Sequence, residues 1–412
     1  MTKTILALIA IFLCTSIAWG ILGTTILART HSTDSSLESR VASNWGCPQQ
    51  QSPPSATTPR VVVKTVEETV NNQTVKRAVE EIVNDPLSLE RSRLRVGLDL
   101  EQRQKGLLWF ATYRVAFAGD YRFRNDTASD QVRLTLAFPS ADAIYDDLVF
   151  RVDGKPVATT TANGAVSASV VVPRGETVRL ETGYRSQGMN TWHYSFGEGV
   201  TQVHDLQLDM QTDFAAIDFP QGSVSPTTKT RAGAGWLLSW KFSNLVTGYR
   251  IGMVMPERIQ PGPLAGRISY FAPVSLLFFF FLMFIITTMR GIRLHPMHYF
   301  FLATSFFAFH LLLAYLVDHI SVHAAFAIAS AVSIFLVISY LRVVTGTRFA
   351  FVEAGLAQLV YLVGFSYAFF FEGFTGLAIT IGAIVSLFVV MQMTARIEWG
   401  REARRDAVEA AR

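Results

Sequence analysis

The sequence predicts a membrane α-helical plus all-β protein: one N-terminal transmembrane anchor, a large exported antiparallel β-sandwich-like domain, and a C-terminal five-helix transmembrane cluster. Half of the 412 residues are hydrophobic and only 17% are charged. With a mean hydropathy of +0.30, the chain is too apolar for an ordinary soluble protein. Six stretches reach the ~20 apolar residues a spanning helix needs. Between the first and second of them, apolar residues alternate with polar ones and are interrupted by turn dipeptides, the pattern of short strands.

The first stretch, Ile5 to Leu27, exceeds the apolar core of a signal peptide, and no A-x-A site follows it. Residues 1–29 therefore read as an uncleaved anchor. Lipoprotein processing at Cys14 is disfavoured because Ile11, Phe12 and Leu13 are not the small residues it requires. Residues 30–60 are rich in Ser, Thr, Pro and Gln (QQQSPPSATTP) and read as an extended linker. Cys47 has no exported partner, since Cys14 lies in the span; an unpaired thiol without a role outweighs an intermolecular one.

Residues 61–267 form the expected β-rich domain. VVVKTVEETV and TVKRAVEEIV flank NNQ as in a hairpin, although Val62, Val66 and Val70 also fit a helical row. Turns are marked by Asp153-Gly154, Asn163-Gly164 and Pro173-Arg174-Gly175. VHDLQLDMQT and GWLLSWKFSNL alternate like further strands. Residues 268–395 hold five spans: Ile268 to Met289, Tyr299 to Val317, Ser321 to Leu341, Ala350 to Phe371 and Phe374 to Thr394. Residues 396–412 are a charged tail.

Arginine placement orients these spans. Arg290 and Arg293 in RGIRLHPMHYF, then Arg342 and Arg348, then Arg396 with Arg401, Arg404 and Arg405 fall on one side; Asp318, His319 and Glu372 fall on the other. Both termini are then cytoplasmic and the β-rich domain is exported. Pro296 suits a first helical turn, where its missing N–H costs nothing. The net charge of +4 is explained by this topology, so the expected partner is the lipid bilayer and not nucleic acid.

Chemistry is sparse. No Gly-rich phosphate loop, cysteine cluster or HExxH pattern is present, and His295 with His298 lack a third metal ligand; no cofactor, metal or catalytic residue is expected. Trp192-His193-Tyr194 and His204-Asp205 are the neighbourhoods that look catalytic, but Ser195 is no elbow serine, and adjacent strand residues point to opposite faces. His310 lies mid-helix, where a polar side chain demands a partner. Asp318, eight residues on, shares its helix face about 12 Å away. His310, Asp318, His319 and Glu372 thus form a candidate polar cluster at the membrane face, weighed against a histidine bonded to its own backbone.

PGPLAGRISYFAPVSLLFFF through RGIRLHPMHYFFLATSFFAFHLLLAYLVDHI, and later FSYAFFFEGFTGLAITIGAIVSLFVVMQMTARIEW, resemble the CreD-like inner-membrane proteins of Gram-negative bacteria. LDLEQRQKGLLWFATYRVAFAGDYRF is a weaker match, and residues 43–84 depart from the pattern. The resemblance implies an inner-membrane location and a part in cell-envelope integrity, with the exported domain periplasmic; it implies no defined reaction. The expected function is non-enzymatic support of the envelope through a periplasmic binding domain that engages another envelope component. A transporter or proton-coupled sensor built on the helix cluster is the alternative, disfavoured by uninterrupted spans and by five helices without an obvious repeat.

Overall fold

The computed structural model describes residues 2–70, 73–105, 108–197, 199–371 and 373–395; within these, 2–3, 31–36, 66–70 and 73–77 are described by backbone alone. Two compact units result. One comprises Met1–Ser35, Gly106–Leu108 and Ile259–Arg412, the other Ser36–Lys105 and Trp109–Arg258.

Among its described residues the helical unit contains six helical stretches long and apolar enough to cross a membrane. They lie in α1 (Thr2–Trp45), α2 (Pro261–Met289), α3 (Pro296–Leu316), α4 (Val322–Thr345), the fifth span Phe349–Phe370 and the sixth span Thr375–Thr394. α1 corrects the expected linker. Residues 30–45 contain neither Gly nor Pro, so the helix nucleated by the apolar stretch propagates through their Ser and Thr residues. It stops at Gly46, whose φ of 135° leaves helical space, with Pro48 close behind. α2 likewise begins earlier than Ile268, because prolines at its first turn pre-set φ.

Within hydrocarbon the hydrophobic effect does not drive helices together, and close packing of small residues takes over. Gly262 and Gly266, spaced as GxxxG on α2, face α1. A Cβ at Gly262 would meet Thr30 and one at Gly266 would meet Leu27, while Gly23 of α1 lies against Tyr270. Trp19 is fully buried, and Leu276, Phe279 and Met283 of α2 pack with Leu302, Phe306 and Phe309 of α3 and with Ala325 and Ala329 of α4.

The fifth span is not the uninterrupted helix expected. It runs as π-helix over Phe349–Ala354, α-helix over Gly355–Gln358, π-helix over Leu359–Gly364 and then short α and 3₁₀ turns. Wide turns of this kind displace carbonyls from the helical ladder, and the Tyr361 carbonyl accepts the Ser275 hydroxyl of α2.

The β-rich unit begins at Gln49, ahead of the expected residue 61. Its small sheet joins β1 (Gln49–Gln51), β12 (Thr191–Tyr194) and β16 (Ile251–Val254). A five-stranded sheet, in order β3-β2-β6-β10-β9, uses β2 (Ser55–Val70), β3 (Gln73–Pro86), β6 (Gln131–Ala137), β9 (Thr160–Ala162) and β10 (Ala165–Val171). The hairpin reading of the valine-rich pair is thus correct, with β2 and β3 paired from Thr57–Pro86 to Val70–Gln73. An eight-stranded sheet, β14-β15-β13-β4-β5-β11-β7-β8, uses β4 (Ser88–Lys105), β5 (Leu108–Arg124), β7 (Tyr145–Val152), β8 (Lys155–Pro156), β11 (Thr177–Met189), β13 (Thr201–Thr212), β14 (Thr228–Ala232) and β15 (Gly235–Thr247).

Among the described residues two pairings are parallel, β1 with β12 and β4 with β13, so the β-rich unit is mixed where a wholly antiparallel sandwich is expected. Crossovers bring these chain-distant strands side by side, which alternation alone does not reveal. Val115, Phe117, Tyr121 and Phe123 of β5 share one core with Val132, Leu134 and Leu136 of β6 and with Leu208 and Trp240. Each such side chain contributes roughly 1.5–3 kcal/mol by burial.

Gly46 joins α1 to this unit. Its amide donates to the Ala42 carbonyl at 2.9 Å, and an added Cβ would collide with the Gln187 carbonyl of β11. Gly46→Ala should therefore destabilise the β-rich unit by about 2 kcal/mol or more, measured as a lower denaturation midpoint. An unchanged midpoint would contradict this close approach.

Candidate functional site

The β-rich unit carries a polar cavity of about 260 Å³ where β12 and β16 run out beside the ends of β13 and β15. Chain-distant residues line it: Gln50 of β1; Ser195, Phe196, Gly197, Gly199 and Thr201 after β12; Thr247, Gly248, Tyr249 and Arg250 before β16. Glu198 lies outside the described residues. Arg250 donates from a guanidinium N–H to Gln50 Oε1 at 2.8 Å, and the Tyr249 amide donates to Thr247 Oγ1 at 2.9 Å. The Thr201 hydroxyl is buried without a partner among the described residues, and the Tyr249 ring is 63% exposed. An aromatic face, a guanidinium and a hydroxyl in one concave site suit a small polar or anionic group.

His193 occupies the middle of the small sheet, opposite Gln50 on one side and Gly252 on the other. Burial, assisted by the nearby Arg250 cation, lowers its pKa from the ordinary 6.5. Its Nδ1 and the Ser223 hydroxyl are buried without a partner among the described residues. Ser195 Oγ donates to the Gly197 carbonyl at 3.2 Å, so His193 and Ser195 are not joined as base and nucleophile, and no carboxylate is among the described lining residues. Asp205 turns to Arg93 at 2.6 Å and has no part in a dyad with His204. Under the cavity, Tyr121 and Tyr194 approach at 3.5 Å and Tyr184 donates to Gln51 Oε1 at 2.7 Å. Burial raises the pKa of all three, which keeps them neutral hydrogen-bonding groups.

The membrane-face cluster expected from sequence does not assemble. His310 is buried and its Nδ1 lies 2.9 Å from the Phe306 carbonyl, so that nitrogen carries the proton and donates one turn back. Its ring meets Trp19 of α1 edge-on, 5.6 Å between centroids. Asp318 points instead to Arg29 of α1 at 3.0 Å. His319 is exposed in the turn after α3, and Glu372 lies outside the described residues. The helical row that put His310 and Asp318 on one face is present, but His310 bonds to its own helix and Asp318 to Arg29 of α1.

Arg290 caps α2 and pairs with Glu353 of the fifth span. Arg293 is exposed in the turn that follows, Arg342 lies in the last turn of α4, and Arg348 precedes the fifth span; Arg396 is outside the described residues. His295 caps α3 by accepting from the Met297 amide, and His298 Nδ1 meets the Tyr340 hydroxyl at 2.7 Å. No group of three potential metal ligands occurs among the described residues. Gln358, buried between the two π-helical stretches, donates to Ser333 Oγ at 2.8 Å, which donates to the Ser305 carbonyl at 2.6 Å.

Residues 258–400 match the family model described as inner membrane protein CreD. No curated protein matches the chain. Among solved structures, a crystal structure of an M1 zinc metallopeptidase mutant from Deinococcus radiodurans is similar at 10% identity and a TM-score of 0.20, over 67% of this chain and 94% of that one. A likeness that low supports no conclusion about fold or chemistry.

The His193 environment has a measurable consequence. Its folded pKa lies below the unfolded one, so between those values the unfolded chain binds the extra proton and stability falls as pH drops below about 6.5. A His193→Gln variant should lose less stability than the parent between about pH 7 and 5, read as paired denaturation midpoints. A steeper loss in the variant would reverse the assignment.

Proposed function

We propose, from the match of residues 258–400 to the family model described as inner membrane protein CreD, that this chain is a non-enzymatic protein supporting bacterial cell-envelope integrity. Its β-rich unit is periplasmic and binds another envelope component; α1 anchors the chain, both termini are cytoplasmic, and the five later spans are the platform. Its partners are that component and the bilayer, with no nucleic acid. Arg293, Arg342 and Arg348, at or just beyond the ends of the spans, support this orientation.

One observation carries the reading. The guanidinium-bearing cavity lies on the β-rich unit, whereas ionisable side chains of the helical unit are engaged by Arg29–Asp318, Arg290–Glu353 and the His310 bond to its own helix. Each of these ionisable groups has one partner within its own unit, while His310 Nε2, Glu353 Oε2 and Gln358 Oε1 are buried without one among the described residues; a charge that is already paired is a poor candidate for a transport path. Binding sites are placed on strand ends and loops held by a fixed scaffold, which is where Gln50, Tyr249 and Arg250 sit.

A second reading has its own support. The fifth span is interrupted by π-helical turns around buried Gln358, and broken spans are a feature of transporters and of helices that move. In that reading the helical unit transports a solute or senses protons, and the β-rich unit is accessory.

Deleting the gene should leave cells sensitive to detergents, and the full chain should restore resistance. Tyr249→Ala combined with Arg250→Ala, exposed changes costing about 0.5 kcal/mol or less each, should accumulate normally yet fail to restore it. Gln358→Leu should restore it. The opposite pattern, with the cavity variant competent and the Gln358 variant inactive, would overturn the binding reading in favour of the helical unit.

A further inference from the structure

The β2–β3 hairpin is tied into its sheet over a short stretch. Ser55, Ala56 and Thr57 pair with Thr135, Leu134 and Arg133 of β6, and β3 ends the sheet. Past Thr57 the hairpin is a ribbon of two strands with both long edges open among the described residues. The 14 residues of β3 extend it over roughly 45 Å. Such a ribbon is marginal alone in water, and an open edge templates another strand. Val61, Val63 and Ile82 are 58%, 61% and 68% exposed on it.

The two edges differ. With two residues connecting Val70 to Gln73, that closing pair is hydrogen-bonded and pairs alternate from there. On β2 the odd-numbered residues then turn their backbone outward, and one of them is Pro59, which has no N–H to offer. On β3 the outward positions include Lys76, Ala78, Glu80 and Ile82, without proline before Pro86. The β3 edge is the one left competent.

Its sequence from Val75 to Val83, VKRAVEEIV, is complementary to itself when inverted. Residues opposite each other in an antiparallel pair must share their hydrogen-bonding parity. Centring the pair on Val79 meets that rule and sets Val79 against Val79, Arg77 against Glu81 and Val75 against Val83 in register. Lys76 then falls opposite Ile82 and diagonal to Glu80. Edge charges usually repel a second strand. Here the two signs occupy opposite halves of the strand, so they repel a parallel copy and attract an inverted one. Glu81 already pairs with Lys64 across the hairpin, and a carboxylate can accept from a second cation.

We propose that the open edge of β3 docks a second copy of this chain, β3 against β3 about a two-fold axis with Arg77 opposite Glu81, making a four-stranded ribbon. The surface is separate from the cavity at Arg250 and does not depend on its ligand.

Disulfide trapping in native membranes tests it, using the full chain with Cys14→Ser and Cys47→Ser. Val79→Cys should give a disulfide-linked homodimer on oxidation, because Val79 faces its own copy across a pair without backbone hydrogen bonds; Val63→Cys on β2 should not. In the Val79→Cys background, Arg77→Glu alone and Glu81→Arg alone should each lose the dimer. Co-produced with different tags, these two chains should recover it as a mixed dimer, since each new charge then meets its opposite, and that recovery shows both are folded. Absence of the Val79→Cys dimer, equal trapping at Val63→Cys, trapping to a different protein in its place, or singles unaffected by charge reversal would each overturn the proposal.

Discussion

A hydrocarbon interior offers no hydrogen-bond partner to an N–H, a carbonyl or a charge, and the helical unit is organised by that constraint. Hydroxyls of Thr15, Ser16, Thr287, Thr304 and Ser386 return to the carbonyl one turn back on their own helix. Arg29 and Asp318, and Arg290 and Glu353, join different helices. These cations therefore do two things at once: they satisfy a carboxylate and they fix which helices are neighbours. His310 Nδ1 and Gln358 Nε2 follow the same rule through a backbone carbonyl and a serine relay, while His310 Nε2 and Gln358 Oε1 are buried without a partner among the described residues. The displaced Tyr361 carbonyl of the fifth span persists because Ser275 supplies its hydrogen.

The β-rich unit solves a different problem, since water can satisfy one face of each sheet. Alternation along β5 sends Tyr113, Val115, Phe117, Tyr121 and Phe123 inward, while Arg114, Asp120 and Arg122 turn outward. Some of the polar side chains that enter the core find a partner there. Gln49 donates to Ser186 Oγ, and Gln51 receives the Tyr184 hydroxyl, which lets a three-residue strand of glutamines lie buried. That strand then presents Gln50, between them, on the opposite face beside Arg250. The cavity follows from fixing β1 in the core.

Much of the architecture was legible in the sequence. Apolar length located the six spans, and alternation with turn dipeptides located the strands. The errors have physical causes. Ser and Thr in residues 30–45 suggested a tether, yet they only weaken a helix, and a span already nucleated carries on to the first residue that must leave helical space, Gly46. The Gly262–Gly266 spacing was readable as a packing face and was passed over. The Asp318 partner could not be read from its own helix, because Arg29 is 289 positions away. The cavity was illegible for the same reason: residues 50, 195–197, 199, 201 and 247–250 meet through the parallel β1–β12 and the antiparallel β12–β16 and β13–β15 pairings between chain-distant strands, which no local pattern announces.

Confinement to a membrane changes what a weak edge contact can do. Copies of one chain in a bilayer meet at a raised effective concentration, and each contact then acts closer to an intramolecular one. A modest set of exposed strand pairs, too weak to hold a soluble dimer, becomes sufficient there. The same confinement makes an open edge hazardous, because any neighbour could add to it. A two-fold pairing centred on Val79 resolves both points: it uses the competent edge once, closes on itself, and leaves outside the edges that Pro59 interrupts. Separation of charge along β3 is what selects that inverted arrangement over the alternatives.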